Sequence, residues 1–115
     1  MSTYRILIAD DHPLYRNAMR NVVADALGEV EILECEDIRS ALGLLEDPGV
    51  DLVLLDLTMP DADGVDGLSR LREAGPAKPI IVCSAQDDPA LLRDCFKLGV
   101  ENRMQAIIAV RERKK

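Results

Sequence analysis

The chain has 115 residues, which gives room for one ordinary domain and not for two. Hydrophobic residues make up 48% and charged residues 30%, a balance that excludes intrinsic disorder. With 21 acidic against 14 basic residues the formal charge is −7, the wrong sign for a bare nucleic-acid-binding module, so no direct contact with nucleic acid is expected.

The first predicted element is a strand, Arg5–Ala9, an apolar run that ends in Asp10-Asp11. A helix follows from Pro13 to about Leu27. Its apolar residues Leu14, Ala18, Met19, Val22, Val23 and Ala26 recur at spacings of three and four. Pro13 suits the first turn and Gly28 the stop. A strand at Glu31–Cys35 comes next, then a helix from about Ile38 to Glu46 with Ile38, Ala41, Leu42 and Leu45 on one face. Asp47-Pro48-Gly49 ends it. Leu52–Leu57 is almost wholly apolar, the mark of a strand covered on both faces. Met59–Gly64 reads as a loop, and a helix over Val65–Glu73 carries Val65, Leu68 and Leu71 inward. Gly75, Pro76 and Pro79 break the chain before a buried strand, Ile80–Ser84. A last helix, Pro89–Leu98, closes at Gly99. Strand and helix alternate four times, which predicts βαβ units in an open, doubly wound parallel sheet.

Cys35, Cys83 and Cys95 are odd in number, widely spaced and without a Cys-x-x-Cys pair, so they read as buried free thiols in a reducing cytoplasm. The N-terminal MSTYRILIAD has no cationic region before a long apolar stretch, so no signal peptide is expected. No apolar run approaches the ~18 residues that span a bilayer. The expected setting is cytoplasmic, away from membranes.

In an open α/β sheet the ligand site lies beyond the carboxyl ends of the strands. The first strand ends in Asp10 and Asp11, the third in Asp56 followed by Thr58, and the fourth in Ser84 and Ala85. Three carboxylates so placed repel one another unless a proton or a cation sits among them. Hard oxygen ligands suit Mg²⁺, which leaves room for a phosphate. Asp56 ends the most apolar strand, and a partly desolvated carboxylate beside a metal can act as a nucleophile and form an acyl phosphate. The Ser84 hydroxyl and backbone amides near Thr58 and Ala85 could donate to the phosphoryl oxygens.

ILIADDHPLYR, LVLLDLTMPDADG and IIVCSA, in that order, resemble the receiver domain of a two-component response regulator. DDHPLYR is closest to the LuxR/NarL type. The resemblance covers roughly residues 4–99 of one receiver domain, 1–115, and leaves 100–115 as a divergent tail. It implies a flavodoxin-like (CheY-like) three-layer α/β/α fold with strand order 2-1-3-4-5. It implies that Asp56 is the phosphoacceptor, and that Asp10, Asp11, Asp56 and the main-chain carbonyl of Thr58 hold Mg²⁺. Ser84 would move toward the phosphoryl group on activation. Pro60 and Gly64 match the family's loop, and His12, the only histidine, falls at a common loop position with no catalytic role. The implied phosphodonor is a sensor histidine kinase or a small acyl phosphate. The chain would be a signalling domain, not an enzyme beyond its own phosphorylation and dephosphorylation, with any transcriptional output outside it.

The family pattern fails after Gly99. Its active-site lysine falls at Ala106 and its switch aromatic at Arg103. Loss of one charge-assisted contact to the phosphoryl group predicts a weaker switch. Val100, Met104, Ile107, Ile108 and Arg111 lie at helical spacing, although AIIAV (106–110) would also suit a strand. A helical tail in place of a normal fifth strand would leave the fourth strand as an edge, and a homodimer or swapped assembly through that edge or the tail would cover it. The abrupt change suggests a truncated, frameshifted or engineered end. The alternative function is a degenerate, non-switching receiver that acts as an interaction or dimerisation module. A phosphatase of the haloacid dehalogenase class would need a second Asp where this chain has Thr58.

Overall fold

A computed structural model of the chain describes residues 3–56, 58–63, 65–74 and 78–82. Its elements run β1 (Tyr4–Ala9), α1 (Pro13–Leu27), β2 (Val30–Cys35), α2 (Ile38–Leu44), β3 (Leu52–Leu55), β4 (Thr58–Met59), β5 (Ala62–Asp63), α3 (Val65–Ala74) and β6 (Ile80–Val82). Four strands form one parallel sheet in the order β2-β1-β3-β6. This is the expected doubly wound sheet, with β3 between β1 and β6. The predicted helix Pro89–Leu98, any fifth strand and the tail 100–115 lie outside the described residues.

The apolar strand runs are explained by burial on both faces. Leu7, Ala9, Val53, Leu55 and Ile80 point to one side, where Ile38, Ala41 and Leu45 of the α2 region and Leu68 and Leu71 of α3 cover them. Ile6, Ile8, Leu52, Leu54 and Ile81 point to the other, beneath Val23, Met19 and Leu27 of α1. The side-chain period of two thus feeds two cores. At ~25 cal/mol per Å² of apolar area these cores supply the main driving force.

Helix α1 has the predicted bounds. Pro13 stands in its first turn after the extended backbone of His12. Gly28 closes it at φ 80°, a conformation that favours glycine, and its N–H donates to the Ala24 carbonyl at 2.9 Å. A helix laid on a sheet buries one stripe, and here that stripe is Met19, Val23 and Leu27. Leu14 and Val22 lie off that stripe and remain exposed.

Among the described residues, three differences from expectation exceed a one-residue shift of an element's end. α2 ends at Leu44 rather than Glu46, because the chain tightens: the Glu46 N–H bonds the Gly43 carbonyl and the Asp47 N–H that of Leu44. β3 ends at Leu55, and the next amide, of Asp56, still donates to Ala9 at 2.9 Å. The segment expected to be a loop contains a small antiparallel arm, with Thr58 opposite Asp63 and Met59 opposite Ala62. Pro60 and Asp61 turn it; the fixed φ of proline suits the first corner. Met59 and Ala62 are buried against the α2–α3 core, which explains why the arm pairs rather than wanders. Gly67 lets α3 approach α2: a Cβ there would come 2.8 Å from Ile38 Cδ1.

Candidate functional site

The sheet carries its acids to one edge. The Asp10 amide donates to the Cys35 carbonyl at 3.1 Å and the Asp56 amide to the Ala9 carbonyl at 2.9 Å, so both residues extend the ladders of β1 and β3 by one step. Both are buried, Asp10 at 1% exposure and Asp56 at 5%. Asp11 follows and is half-buried. One donor atom from each of Asp10, Asp11, His12 and Asp56 lies within 4.8 Å of the others.

The loop that holds these groups is tied down. The His12 N–H donates to Asp10 Oδ1 at 2.7 Å. Arg16, one turn into α1, donates from Nη1 to the Asp10 carbonyl at 2.8 Å and pairs with Glu34 and Glu36 at 3.4 and 3.3 Å. The Asp10 carboxyl is pushed above its ordinary range, first by burial and further by the charge of Asp56; the His12 amide opposes the rise.

Whether these residues fit a hard cation can be tested on their own chemistry. Three carboxylates converge, two of them out of water, an arrangement that is costly without positive charge. Asp11 Oδ1 is buried and accepts no hydrogen bond. Its close neighbour is His12 Nδ1 at 2.9 Å. This is a donor set of the kind Mg²⁺ takes, with one or two carboxylates plus oxygen from elsewhere.

Asp10, Asp11 and Asp56 are therefore brought together as the sequence predicts. The Thr58 backbone opens β4, two residues after Asp56. Ser84 and Ala85 lie outside the described residues, as do Arg103 and Ala106 and the part of the proposed fourth-strand edge beyond Val82. Sequence reasoning passed over two groups. His12 was read as a loop residue, yet its Nδ1 faces all three carboxylates. Arg16 carried a signal, helical spacing from the acids, but its hold on the Asp10 carbonyl depends on the angle at which α1 leaves the sheet.

A four-stranded parallel sheet, with α1 on one face, α2 and α3 on the other, and an acidic cluster at the strand ends, defines a flavodoxin-like α/β protein. The chain matches the response regulator receiver domain family over residues 6–105 and belongs to it; it is a receiver domain of the two-component response regulators. The match runs six residues past Gly99, where the resemblance read from the sequence stops.

The "Glycerol metabolism activator" of Pseudomonas putida is 42% identical over 97 residues, which are 84% of this chain and 44% of that protein. The "Chemotaxis protein CheY" of Listeria monocytogenes is 32% identical over 98 residues, 85% of this chain and 82% of that protein. A solved two-component response regulator of the LuxR family from Aurantimonas sp. SI85-9A1 superposes with a TM-score of 0.75 at 28% identity, over 88% of this chain and 72% of that one. The chain thus spans less than half of the Pseudomonas relative and most of the Listeria one. Among the described residues no helix is long and apolar enough to cross a membrane.

Proposed function

We propose that Asp56 accepts the phosphoryl group in this receiver domain, with Asp10, Asp11, Asp56 and the main-chain carbonyl of Thr58 holding Mg²⁺ beside it. The observation that carries the reading is the placement of Asp56. Its carboxylate is buried at the end of the strand between β1 and β6, within 4.8 Å of donor atoms from Asp10 and Asp11.

A carboxylate oxygen of Asp56 attacks the phosphorus of the donor. The new oxygen–phosphorus bond forms as the bond to the leaving group breaks, and the electron pair departs with that group. The leaving group is the carboxylate of a small acyl phosphate or the imidazole of a kinase histidine. Burial leaves Asp56 with few waters to shed before attack. Bound Mg²⁺ would offset charge on the phosphoryl oxygens. The Ser84 hydroxyl and the amides of Thr58 and Ala85 are assigned to those oxygens from their place in the sequence after the third and fourth strands.

The partner is a sensor histidine kinase or a small acyl phosphate in the cytoplasm. Phosphorylation changes protein contacts, and a transcriptional output is assigned to segments outside this chain. The chain turns over nothing but its own phosphoryl group. With alanine at 106 in place of the family lysine, phosphorylation is expected to proceed and the switch to be weakened.

The test is intact-mass spectrometry after incubation with acetyl phosphate and Mg²⁺, beside Asp56→Asn. One added phosphoryl group, absent in the variant, is expected. No addition to the parent chain would defeat the reading and favour a receiver-like scaffold.

A further inference from the structure

We propose that Arg16 is a positioning residue for phosphorylation: its guanidinium fixes the turn at the end of β1 so that the Asp10 and Asp11 carboxylates face Asp56. The proposal rests on the reading of Asp56 as phosphoacceptor, and it concerns a residue of that site that touches no reacting atom.

The geometry of the turn is the first support. Arg16 Nη1 donates to the Asp10 carbonyl at 2.8 Å. That oxygen belongs to the peptide unit joining Asp10 to Asp11. A peptide unit is planar, so a hold on its oxygen sets the plane from which Asp11 departs. The backbone bonds nearby act elsewhere. The Asp10 N–H donates to the Cys35 carbonyl at 3.1 Å, and Asp10 Oδ1 accepts the His12 N–H at 2.7 Å. Both hold Asp10; the arginine holds the link to Asp11.

The guanidinium is itself anchored. Nε lies 3.4 Å from Glu34 Oε1, and Nη1 lies 3.3 Å from Glu36 Oε1. These glutamates flank Cys35, whose carbonyl receives the Asp10 N–H. The Arg16 backbone N–H donates to the His12 carbonyl at 3.0 Å, which seats the root of the side chain in the same turn. Only 15% of that side chain is exposed. A guanidinium presents a rigid fork of N–H donors and can serve a carbonyl and two carboxylates together. Arg20, one turn further along α1, provides the contrast. It pairs with Glu34 Oε2 at 2.9 Å with half of its side chain exposed, and so staples α1 to β2 away from the Asp10 carbonyl.

The carboxylates need such a hold because they repel one another. Asp10 and Asp56 extend the ladders of β1 and β3, whereas Asp11 stands past the ladder. Released from its peptide plane, Asp11 swings toward water and away from Asp56. A displacement of about 1 Å near a reacting group can cost about a hundredfold in rate.

The experiment phosphorylates the full chain with acetyl phosphate at saturating Mg²⁺. Initial rates are read by quenched intact-mass spectrometry, at a temperature where circular dichroism shows each variant folded. Arg16→Met keeps the apolar stem and removes the fork. It is expected to lower the maximal rate about tenfold or more, with half-saturating acetyl phosphate changed less than about twofold. Arg20→Met removes the same charge from the same helix and should leave the maximal rate within about twofold of the parent. Equal slowing by the two variants would overturn the proposal, since charge or the α1–β2 staple would then account for it. Arg16→Met as fast as the parent would overturn it too, and leave Asp56 as phosphoacceptor. Where Arg16→Met does not fold, Glu34→Gln combined with Glu36→Gln frees the guanidinium from its anchors; slowing of about two- to fivefold is expected, and an unchanged rate would overturn the proposal. A parent chain that takes no phosphoryl group would overturn the phosphoacceptor reading and this proposal together.

Discussion

Asp10 shows at the level of one residue how a binding pocket opposes the fold that carries it. Its carboxyl sits above the ordinary range, chiefly because it is buried. Between its ordinary and its raised value the folded chain keeps a proton that the unfolded chain has released. The metal-free protein therefore loses stability as pH rises through that window, and the full cost is present above it. Asp10→Asn removes the charge but keeps an oxygen for the His12 N–H. Without metal at pH 7.5 this variant is expected to melt about 4 °C higher than the parent. With Mg²⁺ added it should gain little, whereas the parent gains stability from the bound ion. Thermal melts with chelator and with Mg²⁺ check both arms. A lower melting temperature for metal-free Asp10→Asn would show that the carboxylate supports the fold rather than strains it.

At the scale of the element, α2 is held by two carboxylates from different parts of the chain. Its N-cap, Asp37, accepts the Ser40 N–H at 2.7 Å. Asp61, in the turn between β4 and β5, accepts the Ile38 and Arg39 amides at 2.8 and 3.0 Å. These are the free donors that every helix start presents. The Ile38 amide, aided by that of Arg39, holds the Asp61 carboxyl below its ordinary range. Its contribution is accordingly present above the ordinary carboxylate pKa and is lost as pH falls through the depressed one. Asp61→Ala is expected to cost about 1 kcal/mol at pH 7. The cost should shrink toward zero in acid, read as the difference in urea midpoint across pH. An unchanged midpoint at pH 7 would show that water replaces the cap.

For the whole molecule, Cys35 reports the integrity of the fold. It is buried on the α2–α3 face of the sheet, and burial pushes its thiol up to about 11. Near neutral pH the thiolate that reacts is scarce, and alkylation must wait for the chain to open. In a Cys83→Ser, Cys95→Ser background, iodoacetamide labelling of Cys35 is expected to rise in step with loss of helical signal in urea. Rapid labelling of the native chain would contradict the close packing described. Much of this architecture was legible in the sequence, because strands buried on both faces write continuous apolar runs and because Pro13 and Gly28 mark the ends of α1 chemically. The acids were legible for the same reason: a charged residue directly after such a run can only stand at the sheet edge. The β4–β5 arm was not, since two-residue strands have no periodicity to read. The cap by Asp61 was hidden because its acceptors and donors are more than 20 positions apart, and the turn of His12 toward the acids depends on how α1 departs from the sheet. That cap also gives the arm after Asp56 a mechanical character. The arm is pinned at one end by the Asp56 amide on Ala9 and near the other by Asp61 on α2. The first turn of α2 and the strand that floors the pocket are thereby moored to one short arm.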